Sequence, residues 1–416
     1  MAGSVSVVAL IAAGQPAYAN TRTRLIWWGN PERDKRTYAV VDKFLEMNGD
    51  TTVDPETYSW GDYWTKLATL AAGKNLPDVI QMDYRYIFEY ARRGQLAPLD
   101  DFIGNELELA DFDKNLLNSG KIDGKIYGVA MGANSMSYVY NETVRKEIGL
   151  ELPDPIAWTN DDFTALGNSV KDALPKGMYF VRNMGRLENV LETWTRQRGK
   201  DLYTADGGLG FDLQDLEDFW QLWFDLQEAG LTPPADVMAQ DNGKMDEMML
   251  VNRRSLFDFL HSNQLVAAQK LIEDEIGITM IPNQTGGQPG QYMKPSMLLS
   301  MAANSGDPSA AAKLINFIIT APEANDILLV ERGVSGDASI RERIKPTLTQ
   351  TEQKMINYLD AAATHVSPLP PPPPKGAGEI ERAFRPAWEA VAFGQKPVKQ
   401  GAKDFFDFAQ MTLERA

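Results

Sequence analysis

SWGDYWTKLATLAAGKNLPDVIQMD, residues Ser59 to Asp83, holds a helix and a strand in one line. From Asp62 to Ala72, Tyr63, Leu67, Leu70 and Ala71 recur at helical spacing. Gly73 and Asn75 are residues that stop a helix. Leu76-Pro77-Asp78-Val79-Ile80 then reads as a strand entered through a Pro-Asp turn. The same alternation begins upstream. Thr23 to Trp28, TRLIWW, is a β-prone run closed by Gly29-Asn30-Pro31. Arg33 to Asn48 spaces Tyr38, Val41, Phe44, Leu45 and Met47 as a helix does, and Val53 opens a second short strand. Strand, helix, strand, helix, strand predicts an α/β fold with a parallel sheet and crossover helices.

Downstream the elements mix. Gly120 to Met131 reads as a hairpin around Asp123-Gly124, and Tyr138 to Tyr140 as a strand. Asp161 to Asp172 and Leu213 to Glu228 are amphipathic helices with Thr159 and Asp212 at the N-cap positions. Ala310 to Thr320, Ile380 to Phe393 and Lys399 to Leu413 are further helices. Pro370 to Pro374 is five consecutive prolines, which must run as extended polyproline II and cannot join a sheet interior.

The chain has 416 residues, 44% of them hydrophobic, which is too long for one ordinary core and predicts two domains. No Gly/Ser linker separates them, so the chain is expected to cross between the lobes more than once, as a hinged clamp does. The net charge of −16 disfavours nucleic acid and anionic membrane surfaces. With no cysteine, thiolate chemistry, disulfides and Cys-ligated metals are excluded. His261 and His365 are the only histidines, and no Asp-rich Ca²⁺ loop is visible, so no cofactor or metal is expected. Val5 to Ala13 is apolar and Ala17-Tyr18-Ala19 has the small-x-small pattern of a signal-peptidase site, although no basic residue precedes the run. Residues 1–19 are thus expected to be a signal peptide, and the mature protein a periplasmic monomer.

Several motifs, in order, resemble one family. The Ser59–Asp83 segment is similar to its aromatic-x-x-Tyr…Lys-Leu…Ala-x-Gly…Pro-Asp-Val pattern, and GQLAPLDDFI (Gly94 to Ile103) to its Gly-x-Leu-x-Pro-Leu-Asp motif. DGKIYGVAMGANSMSYVYNETV (Asp123 to Val144) resembles its Asp-Gly-Lys-x-Tyr-Gly-Val-Pro hairpin, with Ala130 in place of the proline. SGDPSAAAKLINFIITAPEA (Ser305 to Ala324) resembles a helix of the same family. The family is the extracellular solute-binding proteins of ABC importers, in the carbohydrate-binding group related to maltose-binding protein. The resemblance implies a periplasmic-binding-protein fold of two lobes, a saccharide ligand, permease partners and no catalysis. By order of elements it implies crossings near Ser135 to Asn141, near Leu298 to Ala303 and after Gly333. The lobes are then 20–135 with 300–345, and 136–299 with 346–416.

A saccharide offers hydroxyls and apolar C–H faces, so its receptor needs aromatic rings and charged or amide groups. Ligands of open α/β sheets sit beyond the carboxyl ends of strands. That rule selects Trp28, Asn30, Glu32 and Arg33 after the first strand, and Asp83 and Tyr84 after the strand of Val79. It also selects Asn134 at the first crossing, Arg182 and Asn183 with Trp194 on the next helix, and Phe259 and His261. Tyr292 and Lys294 precede the second crossing, and Arg332 lies at the third. Trp27 and Trp28 must point to opposite faces of a strand, so one can be core while the other lines the cleft. Asp83 can grip hydroxyls or cap a helix. Two other readings stay open: a charged metabolite such as an opine, polyamine or peptide in the same fold, and a secreted glycoside-active enzyme. A cleft-facing Arg182, Lys294 or Arg332 would favour an acidic ligand.

Overall fold

The computed structural model describes residues 21–29, 31–241 and 245–415. The expected signal segment 1–19 and the candidate Asn30 lie outside these residues.

The first strand runs Thr21–Trp28 and pairs in parallel with both Thr51–Tyr58 and Val79–Met82. The helix Pro31–Met47 and the helix Trp60–Ala72 make the crossovers. Ser59 caps the second helix by accepting the Asp62 N–H, and Gly73 ends it. On the other side of Val79–Met82 lies Leu298–Ala302, antiparallel, followed by Leu96–Ala97. Val129–Ala130 also pairs with Leu298–Ala302. The sheet is therefore mixed, with a parallel half that was legible and an antiparallel strand supplied from more than two hundred residues downstream. Trp27 packs on one face with Val40, Val41 and Phe44, and Trp28 on the other with Tyr63, Leu67 and Ile80.

The second sheet has the order Tyr179–Val181, Ser255–His261, Met136–Asn141, Ile276–Thr279. Helices Asn160–Val170 and Leu213–Glu228 begin with reciprocal capping boxes, Thr159 with Asp162 and Asp212 with Asp215. Trp220, Phe384, Trp388 and Phe405 fill the core between Leu213–Glu228 and the helices Ala377–Ala392 and Val398–Glu414. The hairpin turn at Asp123-Gly124 has both residues at positive φ, as a two-residue turn requires.

Three segments pass between the sheets side by side. Ala133–Asn134 pairs antiparallel with Lys294–Pro295, and Ala133 forms a bridge with Val334. The crossings lie just before Met136 and just before Leu298, because Met136–Asn141 is already inside the second sheet and Leu298–Ala302 inside the first. This corrects the first two expected positions by a few residues. The backbone at the crossing is tightly packed. A Cβ on Gly132 would meet the Gly333 carbonyl carbon at 2.7 Å, and Gly333 itself has φ +96°. The expected lobe boundary at 345 also moves. Ile340 and Ile344 pack with Ile276, Ile356 and Leu359, so the helix Ala338–Ile344 shares its core with the second lobe. Its apolar face, rather than its place in the chain, decides where it goes.

Candidate ligand-binding cleft

A cavity of about 370 Å³ opens between the lobes at the carboxyl ends of both sheets. The first lobe contributes Trp60, Asp83, Tyr84 and Arg85. Lys294 comes from a crossing segment. The second lobe contributes Met136, Glu188, Asn189, Glu192, Leu202, Tyr203, His261 and Tyr292, and a wall of Pro370, Pro371, Pro373 and Pro374 backed by Ala377, Gly378 and Glu381.

Each wall has a local cause. Trp60 opens the helix after Tyr58, and its ring stands edge-on to Trp28 at 5.0 Å. Trp28 is core, and Trp60, 45% exposed, carries the aromatic surface to the cavity. Asp83 is a helix cap and also a lining residue of the cavity. It caps the helix Tyr84–Arg92 through the Arg85 N–H at 2.8 Å while lining the cavity. The Tyr84 hydroxyl donates to the Pro370 carbonyl at 3.0 Å, a bond from one lobe to the other. The proline segment is held on the second lobe by Arg196, which donates to the Pro368 carbonyl, pairs with Asp201 and binds Gly290 O at 3.1 Å.

The helix Glu188–Gln197 places Glu188 and Glu192 one turn apart on the cavity face. Tyr203 donates to Glu188 Oε1 and Tyr292 to Glu192 Oε2, both at 3.1 Å. The Arg196 guanidinium lies over the Tyr292 ring, 5.1 Å from its centroid. Burial pushes the Glu188 carboxyl up to about 8, with the Glu381 charge adding to the effect. Burial also raises Glu192 against the pull of Arg196. His261 is pushed down to about 4 by burial and the Lys294 charge, so its ring is neutral at pH 7.

Of the residues expected from the sequence, Asp83, Tyr84, His261, Tyr292 and Lys294 meet at this cavity. The other described candidates are placed elsewhere. Glu32 pairs with Arg36 on the surface, and Arg33 pairs with Glu331. Asn134 is buried in the crossing strands. Arg182 is enclosed between Asp258 and Asp241. Asn183 binds the Trp223 carbonyl and Thr232, and Trp194 donates to the Asp215 carbonyl. Phe259 is core, edge-on to His261. Arg332 is buried in the first lobe, donating to Gln81 and Thr37. Thus of the three cations whose placement bears on ligand charge, only Lys294 reaches the cavity. Sequence reasoning missed Trp60, Glu188, Glu192, Tyr203, Glu381 and the proline wall. The signal for Trp60 was its position just past the carboxyl end of the second strand, and for the two glutamates their spacing of four.

A cleft between two α/β lobes joined by three crossing segments, walled by rings and acidic side chains, is the geometry of a binding protein. Residues 39–338 match the family described as bacterial extracellular solute-binding protein, and the chain belongs to that family. It is similar to an extracellular solute-binding protein of family 1 from Alicyclobacillus acidocaldarius, with a TM-score of 0.85 and 27% identity over 95% of this chain and 98% of that one. A binding protein of Brucella abortus is 24% identical over 286 residues, 67% of each chain. The diacetylchitobiose binding protein of Streptomyces coelicolor is 29% identical over 153 residues, 36% of this chain and 34% of that one. The family resemblance and the two-lobe fold expected from the motifs are thereby shown.

Proposed function

We propose that this chain captures a saccharide, or a derivative of one, by closing its lobes, and delivers it to an ABC-type permease from outside the cytoplasm. The observation that carries the reading is the inter-lobe cavity, where Trp60, Tyr84, Tyr203 and Tyr292 supply rings and Glu188 and Glu192 supply half-buried acceptors. Its volume of about 370 Å³ falls in the range of small-ligand sites, roughly 300–1,000 Å³. Rings stack on C–H faces while carboxylates take hydroxyl protons in charge-assisted bonds. The partial similarity to a diacetylchitobiose binding protein supports the same ligand class.

Thermal-shift titration with oligosaccharides tests the reading, because a ligand that binds only the native state raises apparent stability. A panel that leaves the melting temperature unmoved would count against it. Trp60→Ala is expected to weaken the saccharide by about tenfold, on the order of 1.4 kcal/mol, measured by calorimetric titration. The ring is half exposed, so the fold should tolerate its loss.

Closure follows from ligand contacts made by both lobes, since only differential contact shifts the equilibrium. Tyr84→Phe removes the lobe-to-lobe bond to Pro370 and keeps the ring. It should disfavour the closed form by about 0.5–1.5 kcal/mol. X-ray scattering of the unliganded variant should show a larger radius of gyration than the wild type, and an identical profile would remove Tyr84 from the closing contacts.

A further inference from the structure

The cavity is more acidic than a neutral saccharide requires. Asp83, Glu188, Glu192 and Glu381 line it, against Arg85 and Lys294. His261 adds no charge at neutral pH. Glu188 and Glu192 each receive one phenol hydrogen bond, at Oε1 and Oε2 respectively. Among the described residues no donor meets the other oxygen of either group, and neither carboxylate forms an ion pair. The cation nearest in effect to Glu192 is Arg196, which is already engaged by Asp201 and the Pro368 carbonyl. Glu188 has no such neighbour. Its hydroxyl partner is Tyr203, the charges of Glu381 and Glu192 push its carboxyl further up, and Arg85 opposes them with a smaller effect.

Two half-buried acids, four residues apart, each receive a single phenol hydrogen bond, and a cation between them would favour the ionised form over the protonated form that burial favours. A sugar hydroxyl offers a single donor and no charge. An ammonium offers three donors and a full charge, and its bonds to carboxylates are the stronger kind. A carboxylated ligand would add a like charge to the site.

We propose that the ligand bears a protonated amine, and that this ammonium lodges between Glu188 and Glu192 with Glu381 reinforcing the field from the proline side. The inference rests on the cavity being the ligand site, as read above, and narrows the ligand to an alkylammonium compound. A free-amine amino sugar and a polyamine share that chemistry. N-acetylation removes the charge and two of the donors, so it should be rejected at this position. The remaining rings, Trp60 and Tyr84 among them, then hold the uncharged part of the molecule.

Calorimetric titration of the full-length protein at pH 6.5 tests this with three probes: the β-1,4-linked glucosamine disaccharide with free amines, its diacetylated counterpart, and spermidine. The free-amine disaccharide should bind at least tenfold more tightly than the diacetylated one. Glu188→Gln should erase most of that preference, and Glu192→Gln should reduce it. Circular dichroism and the unliganded melting temperature establish that each variant is folded. A preference that survives in both variants would overturn the assignment. The outcomes separate the two readings. If the diacetylated sugar alone binds, the saccharide reading stands and the amine falls. If spermidine alone binds and Glu188→Gln abolishes it, the amine stands and the saccharide falls. If none of the three binds, both fall.

Discussion

Arg182→Met is expected to destabilise the protein by about 3–5 kcal/mol, the usual cost of removing one partner from a buried ion pair. The Arg182 guanidinium follows the strand Tyr179–Val181 and is enclosed between two carboxylates, Asp258 at 3.2 Å and Asp241 at 2.6 Å. Asp258 is fully buried in the adjacent strand, and burial raises its pKa while Arg182 pulls it back. Without the arginine, Asp258 keeps the Phe259 N–H at 2.8 Å as its close donor and has no cation. Asp241 fares better, because Arg186 stands 3.7 Å away. The loss should therefore sit mainly on Asp258. The double variant Arg182→Met with Asp258→Asn removes both charges and keeps an acceptor for Phe259. It should recover more than half of the lost stability, as urea-induced unfolding followed by circular dichroism would show. Ligand affinity per folded molecule should be unchanged, since Arg182 does not line the cavity. A stable single variant that has lost ligand binding would mean instead that Arg182 works at the cleft.

Arg182 also shows where reading the chain by residue type stops. It was selected because it follows a strand, and it does follow one. Nothing in the neighbouring sequence announces that its partner is Asp258, 76 residues away. Arg332 is the same case. Its guanidinium enters the first lobe between Gln81 and Thr37, on elements roughly 250 and 300 residues earlier. Local pattern carries local structure well. The helices Trp60–Ala72 and Leu213–Glu228, the caps Thr159 and Asp212, and the turn at Asp123-Gly124 were all legible, because spacing and capping act within one or two turns. Leu298–Ala302 is an apolar run with no alternation, and such a run does not declare which sheet it joins or in which direction. The cleft was legible where strand ends led straight into it, at Asp83, Tyr84 and His261. It was not legible at Glu188, because the loop of 182–187 separates that helix start from its strand. The proline wall has no periodicity at all. Its position depends on Arg196, Tyr84 and Ser367, none of which is adjacent to it in helical or strand register.

The unliganded protein should lose about 2 kcal/mol of stability between pH 6.5 and pH 8, at up to about 1.4 kcal/mol per pH unit. Glu188 sets this fall, and His261 shapes the profile below it. The folded protein holds the Glu188 proton to about pH 8, whereas an unfolded chain releases it near 4.5. The unfolded state then binds fewer protons, so this term lowers stability as pH rises across that window. His261 has the opposite sign. Its folded ring stays neutral down to about pH 4, whereas the unfolded imidazole protonates below 6.5. The unfolded state then binds more protons, so this term raises stability as pH rises from 4 to 6.5. From pH 4.5 to 6.5 the two slopes oppose, and a plateau is expected. Above 6.5 the histidine term is exhausted and Glu188 acts alone, with Glu192 raised in the same direction. Glu188→Gln should abolish the fall above 6.5 and expose a rise below it. A melting temperature that stays level from pH 6.5 to 8 in the wild type would mean that Glu188 is ionised in the empty cavity. Saturation with an ammonium ligand should produce that same level profile, because a cation beside Glu188 favours the charged carboxylate in place of the proton. Comparing the liganded and unliganded profiles thus reads the charge of the ligand through the stability of its receptor.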